Sequence, residues 1–321
     1  MSKRRISKQQ SVRIQNKQES LLKQNPAIGS PVNNGLVICR HGKHAEIEDE
    51  LRQRIHCSIR PTLDSIVAGD QIIWQKEGEE QGVIVGTHPR ISVLGRPDKK
   101  GIVKPIAANI TQILIVVAPK PAISWSLLDS YLVVAEYLKM QACIILNKFD
   151  LVEDALEETL RNQYEPLGYS ILSTSFNQPK GYKQLLETLD NQTSVFVGQS
   201  GVGKSSLISK VLPHESNILT APISQAEFGK HTTSNSYFYH LPTGGALIDS
   251  PGVREFGLWH MPSSEIATGF REFKKFLSSC KFRNCNHDHV PGCSLIQAVK
   301  DGFISKRRYE NYVKITAQFS K

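Results

Sequence analysis

The stretch "SVFVGQSGVGKSSLISKVL", residues 194–212, narrows the choice of fold more than any other part of the chain. An apolar run of strand type leads into Gly198-Gln199-Ser200-Gly201-Val202-Gly203-Lys204-Ser205, and a helical pattern follows from Ser206. This is the phosphate-loop pattern in the setting it needs, after a strand and opening a helix. The glycines let backbone N–H groups approach phosphate oxygens, and the helix presents its positive end to them. Lys204 is expected at the β- and γ-phosphates and Ser205 on Mg²⁺. Such a loop belongs at the end of a parallel strand, and strands alternate with helices around it. The apolar stretches are "ITQILIVVAP", "ACIILNK", "YSILSTS", "SVFVGQS" and "GALIDSPG", with helical patterns in "SLLDSYLVVAEYLKM", "EDALEETLRNQY" and "GKSSLISKVL". That alternation gives a mostly parallel sheet covered on both faces.

Four further motifs complete a nucleotide site. Asn147-Lys148-Phe149-Asp150 ends the strand "ACIIL". The Asp150 carboxylate can accept both N1–H and the 2-amino group of guanine, whereas adenine would leave it unpaired, at a cost of about 1–3 kcal/mol or more. Asn147 and Lys148 are expected to brace neighbouring loops. Ser173-Thr174-Ser175 ends the next strand, where a second guanine loop belongs. Asp249-Ser-Pro-Gly252 closes the strand "GALI", placing a carboxylate near Mg²⁺ and the Gly252 N–H near the γ-phosphate. In "GKHTTS", Thr232 or Thr233 is expected to complete the Mg²⁺ sphere; the sequence does not choose between them. The position after DxxG that often carries a water-orienting Gln is Val253, which leaves His231 as the candidate catalytic residue and hydrolysis that needs a partner to become fast. In an ordinary GTPase the phosphate loop comes first and Asn-Lys-x-Asp late. Here the order is Asn-Lys-x-Asp, Ser-Thr-Ser, phosphate loop, His-Thr-Thr, Asp-Ser-Pro-Gly: the same circle, cut elsewhere. Adjacency of strand ends builds the site, not chain order, so we read a circular permutation. The second switch then runs through residues 253–262 straight into the C-terminal segment, a route by which a γ-phosphate contact could reposition a domain.

The flanks point to a polyanion. The net charge of +9 is distributed as +6 over residues 1–29, +1 over 30–105, −5 over 106–270 and +7 over 271–321. Basic ends around an acidic core fit an enzyme held on nucleic acid. Residues 1–29 are rich in Lys, Arg, Gln and Ser and are expected to be a disordered tail. Residues 30–105 read as short strands, "GLVICRHGKHAEIE", "QRIHCSIRP", "GDQIIWQKEGEEQGVIVGTHP" and "ISVLGRP", of a five-stranded oligonucleotide-binding type of barrel. With Trp74 as its one aromatic residue, this barrel suits a folded RNA backbone better than stacked bases. Residues 106–262 form the GTPase unit and 263–321 a helical segment. In the latter, Cys280, Cys285, His287 and Cys293 give a closed Zn²⁺ site of structural type, with His289 a competing ligand. A segment that small, with few core residues, is expected to depend on the metal. Cys39, Cys57 and Cys143 stand singly in apolar surroundings and read as inert core thiols. No apolar run approaches the roughly 20 residues a membrane span needs, and no signal peptide is evident. A cytoplasmic monomer with no membrane contact is expected. A GTP-dependent factor on another RNA, or a metabolic phosphate-loop kinase, are the competing classes; Asn147–Asp150 argues against the kinase.

Taken together, "LLDSYLVVAE", "NKFD", "GQSGVGKSSL", "GKHTTS", "IDSPGVREFGLW" and "CKFRNCNHDHVPGC" resemble the ribosome small-subunit-dependent GTPase A family of bacteria, over about residues 30–310. The resemblance implies an oligonucleotide-binding barrel, a circularly permuted GTPase unit and a zinc-binding C-terminal unit. It implies a late factor in 30S subunit assembly that binds 16S rRNA and GTP or GDP and whose hydrolysis the subunit stimulates. On this resemblance residues 198–206, through Ser206, are the phosphate loop, 147–150 the guanine loop, Cys280, Cys285, His287 and Cys293 the zinc ligands, and His231 the switch histidine. The family usually has Arg before that His; here it is Lys230.

Overall fold

A computed structural model describes residues 32–63, 65–78, 80–97, 102–152, 154–176, 179–213, 235–249, 261–283, 285–288 and 290–318. The expected tail, His231, Thr232, Thr233, Gly252, Val253 and His289 lie outside the described residues.

The first five strands are β1 (Val32–His41), β2 (His44–Asp49), β3 (Arg54–Ile59), β4 (Gln71–Lys76) and β5 (Gln81–Thr87). They run β1-β2-β3-β5-β4, and β4 pairs back onto β1, which closes a five-stranded barrel with no free edge among these strands. The β3–β5 pair is parallel and the others antiparallel. Alternate residues point inward: Val37, Ile47, Cys57, Ile72 and Ile84 are fully buried in one apolar core. Trp74 belongs to it, 3% exposed, with its indole N–H donated to the Asn34 carbonyl at 3.1 Å. It packs the barrel and offers no stacking platform. The stretch "ISVLGRP" does not join the barrel. Its strand β6 (Val93–Pro97) pairs with β7 (Val103–Ala108) in a separate ribbon. The reason is where the apolar side goes: Leu94 and Ala107 are buried in the larger core of the next sheet.

That sheet contains β8 (Gln112–Val117), β9 (Gln141–Leu146), β10 (Ser170–Ser173), β11 (Thr193–Val197), β12 (Tyr237–His240) and β13 (Ala246–Asp249). The spatial order is β10-β9-β8-β11-β13-β12, with β12 alone antiparallel. Strand β8 is buried along its whole length, as a central parallel strand requires. Its residues alternate between two cores. Ile113, Ile115 and Val117 face α1 (Trp125–Tyr137) and α2 (Asp154–Tyr164); Leu114 and Val116 face α3 (Pro179–Leu189) and α4 (Lys204–Val211). The phosphate-loop strand β11 is fourth of these in the chain but sits mid-sheet between β8 and β13, which is the permuted order made physical. Strand β12 was not among the strands read from sequence. It pairs with β1 at Cys39↔Tyr237 and joins barrel and sheet into one eleven-stranded surface.

The C-terminal segment folds as two 3-10 turns, Ser263–Gly269 and Arg271–Phe273, then α5 (Ser294–Lys300) and α6 (Lys306–Ala317). The expectation of few core residues here is overturned. Ile266, Phe270, Phe273, Leu295, Tyr312 and Ile315 are all buried in the core that α1 and β8 share. Helix α1 carries apolar residues around most of its circumference because sheet and C-terminal segment cover it from two sides. Gly269 marks the closest approach: a Cβ there would lie 2.6 Å from Val133 Cγ1. At the centre of this contact Asp129 is fully buried and accepts bonds from Tyr164 Oη (2.7 Å), Asn311 Nδ2 (2.6 Å) and Arg308 Nη1. Arg308, 1% exposed, also donates to both Glu272 oxygens at 2.7 and 3.0 Å. Burial works against its charge, yet Asp129 and Glu272 outweigh burial and hold the guanidinium pKa above its ordinary value. No helix among the described residues is long and apolar enough to cross a membrane.

Candidate nucleotide site and metal cluster

Loop 198–203 leaves β11 and turns into α4 at Lys204. Three of its glycines have positive φ, and one shows why glycine is needed. Gly203 (φ 97°) lies against Asn147, so a Cβ there would sit 2.3 Å from Asn147 Nδ2. Gly198 is packed against the Val116 carbonyl in the neighbouring strand. Val202 is fully buried, whereas Ser200, Gly201, Ser205 and Ser206 are exposed along the rim. Lys204 is 8% exposed, and its ammonium donates to the Gly198 and Gln199 carbonyls at 2.7 and 2.5 Å. The charge is thereby held over the loop in which phosphate would be cradled. The Gln199 side chain accepts the Ser124 N–H at 2.8 Å and anchors the loop to the start of α1.

The two motifs that are 50 residues apart in sequence meet at this loop. Asn147 Nδ2 donates to Val202 O (2.9 Å), and Asn147 Oδ1 accepts from Thr174 Oγ1 (3.0 Å). Lys148, in the left-handed region at φ 55°, donates to Gly201 O (2.7 Å) and Lys120 O (2.9 Å). The expected bracing roles are thus visible as hydrogen bonds. Phe149 N donates to Thr174 O at 3.0 Å, which ties the 147–150 loop to the 173–175 loop. Ser175 Oγ donates to Asp150 Oδ1 at 2.6 Å and so orients the carboxylate. Asp150 itself is exposed, open to a cleft of about 340 Å³, near the lower end of the roughly 300–1,000 Å³ usual for small-molecule sites. Asn147, Lys148, Asp150, Thr174, Ser175, Gly203 and Ser206 line it. Ser173 does not: its hydroxyl donates to Glu157 on α2 at 3.0 Å. Asp249 ends β13, two strands from β8 and next to β11. Sequence reasoning missed Phe176, Tyr182 and Lys210, which also line the cleft. An apolar residue straight after Ser-Thr-Ser was the available signal.

The metal cluster lies apart, in the C-terminal segment. The donor atoms of Cys280, Cys285, His287 and Cys293 all fall within 4.8 Å of one another. His287 Nδ1 is 3.4 Å from Cys280 Sγ and 3.6 Å from Cys293 Sγ. Tetrahedral coordination with metal–sulfur and metal–nitrogen bonds of about 2.3 and 2.0 Å puts S and N about 3.5 Å apart, so the four donors fit an ion of this kind. Burial lowers the His287 pKa, which favours the neutral, metal-binding imidazole. For Cys280 burial raises the pKa, but hydrogen bonds from Ser294, Cys285 and Cys293 outweigh it and the thiol is lowered. Helix α6 holds the ligand loop from behind: Tyr309 Oη donates to His287 O (2.8 Å) and Tyr312 Oη to Asn286 O (3.0 Å). A hollow of about 640 Å³ rimmed by Pro291, Ile296 and Phe303 opens beside the cluster, at Cys293. By contrast Cys39, Cys57 and Cys143 are buried, and burial first of all pushes their pKa values up to about 11, 12 and 12.

The family model described as RsgA GTPase matches residues 87–259. The chain is 44% identical to the Small ribosomal subunit biogenesis GTPase RsgA of Actinobacillus pleuropneumoniae serotype 5b (strain L20), over 98% of this chain and 95% of that protein. The chain belongs to the RsgA GTPase family. It is a GTP hydrolase. The fold agrees with two solved structures: YjeQ from Thermotoga maritima (TM-score 0.71, 29% identity, 90% of this chain and 98% of that one) and YloQ, described as a circularly permuted GTPase (TM-score 0.71, 26% identity, 92% and 98%).

Proposed function

We propose that this RsgA-family GTPase acts late in the maturation of the 30S ribosomal subunit, hydrolysing GTP to GDP and phosphate when the subunit stimulates it. The observation that carries the nucleotide reading is Asn147, which bonds Val202 on one side and Thr174 on the other. It makes one site of the base-reading and phosphate-binding loops. In this reading Asp150, oriented by Ser175, accepts from guanine. The N–H groups of residues 198–206 bind phosphates, and Lys204 moves from loop carbonyls to phosphate oxygens, a change of acceptor that costs no new burial. Ser205 with Thr232 or Thr233, near Asp249, would hold Mg²⁺, which would supply neutralising charge to the β- and γ-phosphates. His231 orients water. Cys280, Cys285, His287 and Cys293 would hold zinc, because three thiolates and an imidazole at tetrahedral spacing suit it; bound there it would cross-link the ligand loop.

The relative's name supports the small subunit as partner, the charge distribution supports rRNA contacts by the C-terminal unit (263–321), and the oligonucleotide-binding type of barrel supports them for residues 30–105, on the other side of the GTPase unit (106–262) in the chain. A cytoplasmic location fits that role, and a monomeric state is proposed with it. The test is sedimentation with separated 30S, 50S and 70S particles in the presence of a non-hydrolysable GTP analogue. Co-sedimentation with 30S particles, and acceleration of hydrolysis by them, is expected. Equal binding to all three particles would favour a general GTP-dependent RNA-binding factor.

A further inference from the structure

We propose that Lys210 is a positioning residue for the base: it latches the loop that holds Asp150 in place and so sets how long a nucleotide stays bound. The inference rests on reading the cleft at Asp150 as the guanine site. It starts from an anomaly. Phe176 is a large apolar residue, 75% exposed, on a polar turn next to Ser175. No apolar core explains it. What it meets is Lys210, whose ammonium lies 5.1 Å from the Phe176 ring centre and 4.7 Å from the Tyr182 ring centre. The cation thus contacts two aromatic rings, each within the reach of a cation–π attraction. The same ammonium makes a long hydrogen bond, 3.4 Å, to the Phe176 carbonyl. Tyr182 in turn donates its hydroxyl to the Lys210 carbonyl at 2.8 Å, which fixes one ring on α4.

The placement of the latch gives it leverage. Upstream, the loop is pinned by backbone bonds: Thr174 N to Leu146 O and Phe149 N to Thr174 O. Downstream of Ser175, Lys210 holds the Phe176 ring and carbonyl. Ser175 sits between the two anchors, and its hydroxyl holds the Asp150 carboxylate at 2.6 Å. Releasing the downstream anchor lets the hydroxyl move and the carboxylate lose its orientation. Lys210 also lies on the helix that begins with Lys204, about 9 Å along the axis at 1.5 Å per residue. One helix therefore carries a lysine to each end of the nucleotide.

Two cation–π contacts at a half-exposed site are worth about fivefold to thirtyfold in dissociation rate. The test is stopped-flow release of N-methylanthraniloyl-GDP into excess GDP, with IDP, which lacks the 2-amino group, measured beside it. Lys210→Met should release the nucleotide about tenfold faster with an unchanged association rate, and should narrow the preference for GDP over IDP. Lys210→Arg should return the release rate to within about twofold of wild type, a rescue that a purely space-filling role would not give. Phe176→Leu, at an exposed position, should reproduce the fast release. A release rate in Lys210→Met within twofold of wild type, or equal rates for the Met and Arg variants, overturns the latch. Wild-type protein that binds IDP as tightly as GDP instead overturns the base-site reading beneath it.

Discussion

Replacing Asp129 by alanine should loosen the C-terminal segment from the GTPase sheet although it touches neither the nucleotide cleft nor the metal cluster. Its carboxylate accepts from Tyr164, Asn311 and Arg308, all in a site with no exposed surface on Asp129. The alanine variant leaves the Tyr164 hydroxyl and the Asn311 amide as buried donors without this acceptor, at about 1–3 kcal/mol each. Arg308 keeps its two bonds to Glu272, so its charge is only partly orphaned. The sum is about 3–5 kcal/mol, the range for breaking a buried pair by deleting one partner. For a chain of this size that corresponds to roughly 4–7 °C in unfolding midpoint. Calorimetry gives the midpoint, and hydrogen exchange read by mass spectrometry gives the location: peptides of α6 should lose protection first. Asp129→Asn, which keeps one acceptor, should fall between. A midpoint within about 2 °C of wild type with α6 still protected would show that the network carries no docking energy.

Two further outcomes follow from the site and the cluster. Lys204→Ala should abolish tight GTP binding, because Lys204 is the buried cation held at the Gly198 and Gln199 carbonyls where the phosphates would lie; unchanged affinity by isothermal titration would remove Lys204 from the site. Metal analysis should find about one zinc per chain. Because Ile266, Phe270, Phe273 and Tyr312 anchor the segment in the main core, Cys285→Ser should loosen the ligand loop around 280–293 while α6 stays docked and GTP affinity holds. After chelation at pH 8, the half-buried thiols of Cys280 and Cys285 should react first with a disulfide reagent. Cys39, Cys57 and Cys143 should stay silent, since pKa values of about 11 to 12 leave them protonated and burial blocks access. Six reacting thiols in folded protein would contradict this.

What the sequence disclosed and what it hid divide along physical lines. The phosphate loop, Asn147–Asp150 and the Cys/His cluster were legible because the chemistry demands given residue types within a few positions of one another. The permutation was legible because each motif is local and only their order changed. Contacts whose partners are far apart left no local trace. The Asp129–Arg308 pair spans 179 residues, and Asp129 by itself reads as a polar residue on an amphipathic helix. Alternation in "ISVLGRP" showed a strand with one apolar side but not which core that side would enter. Phe176 follows Ser-Thr-Ser with no local sign of its partner, because α4 brings Lys210 over its ring from 34 residues away. The aromatic strand Tyr237–His240 follows the switch segment so closely that no turn signal set it apart, yet it joins the barrel to the sheet.

The central claim is that loops 147–150 and 198–203 form one guanine-nucleotide site, and exchange of a single atom in the protein tests it most directly. Asp150→Asn replaces one acceptor oxygen by an amide donor while Ser175 remains available to orient the side chain. Affinities for GTP and for XTP, which carries oxygen in place of the 2-amino group, should be measured on wild type and variant by equilibrium titration. Wild type should prefer GTP, and the variant should lose GTP affinity by about tenfold or more while gaining affinity for XTP, as a reversed hydrogen-bond pair requires. A variant that binds GTP as wild type does, with no gain for XTP, would mean that Asp150 does not face the base and that the cleft has been assigned to the wrong ligand.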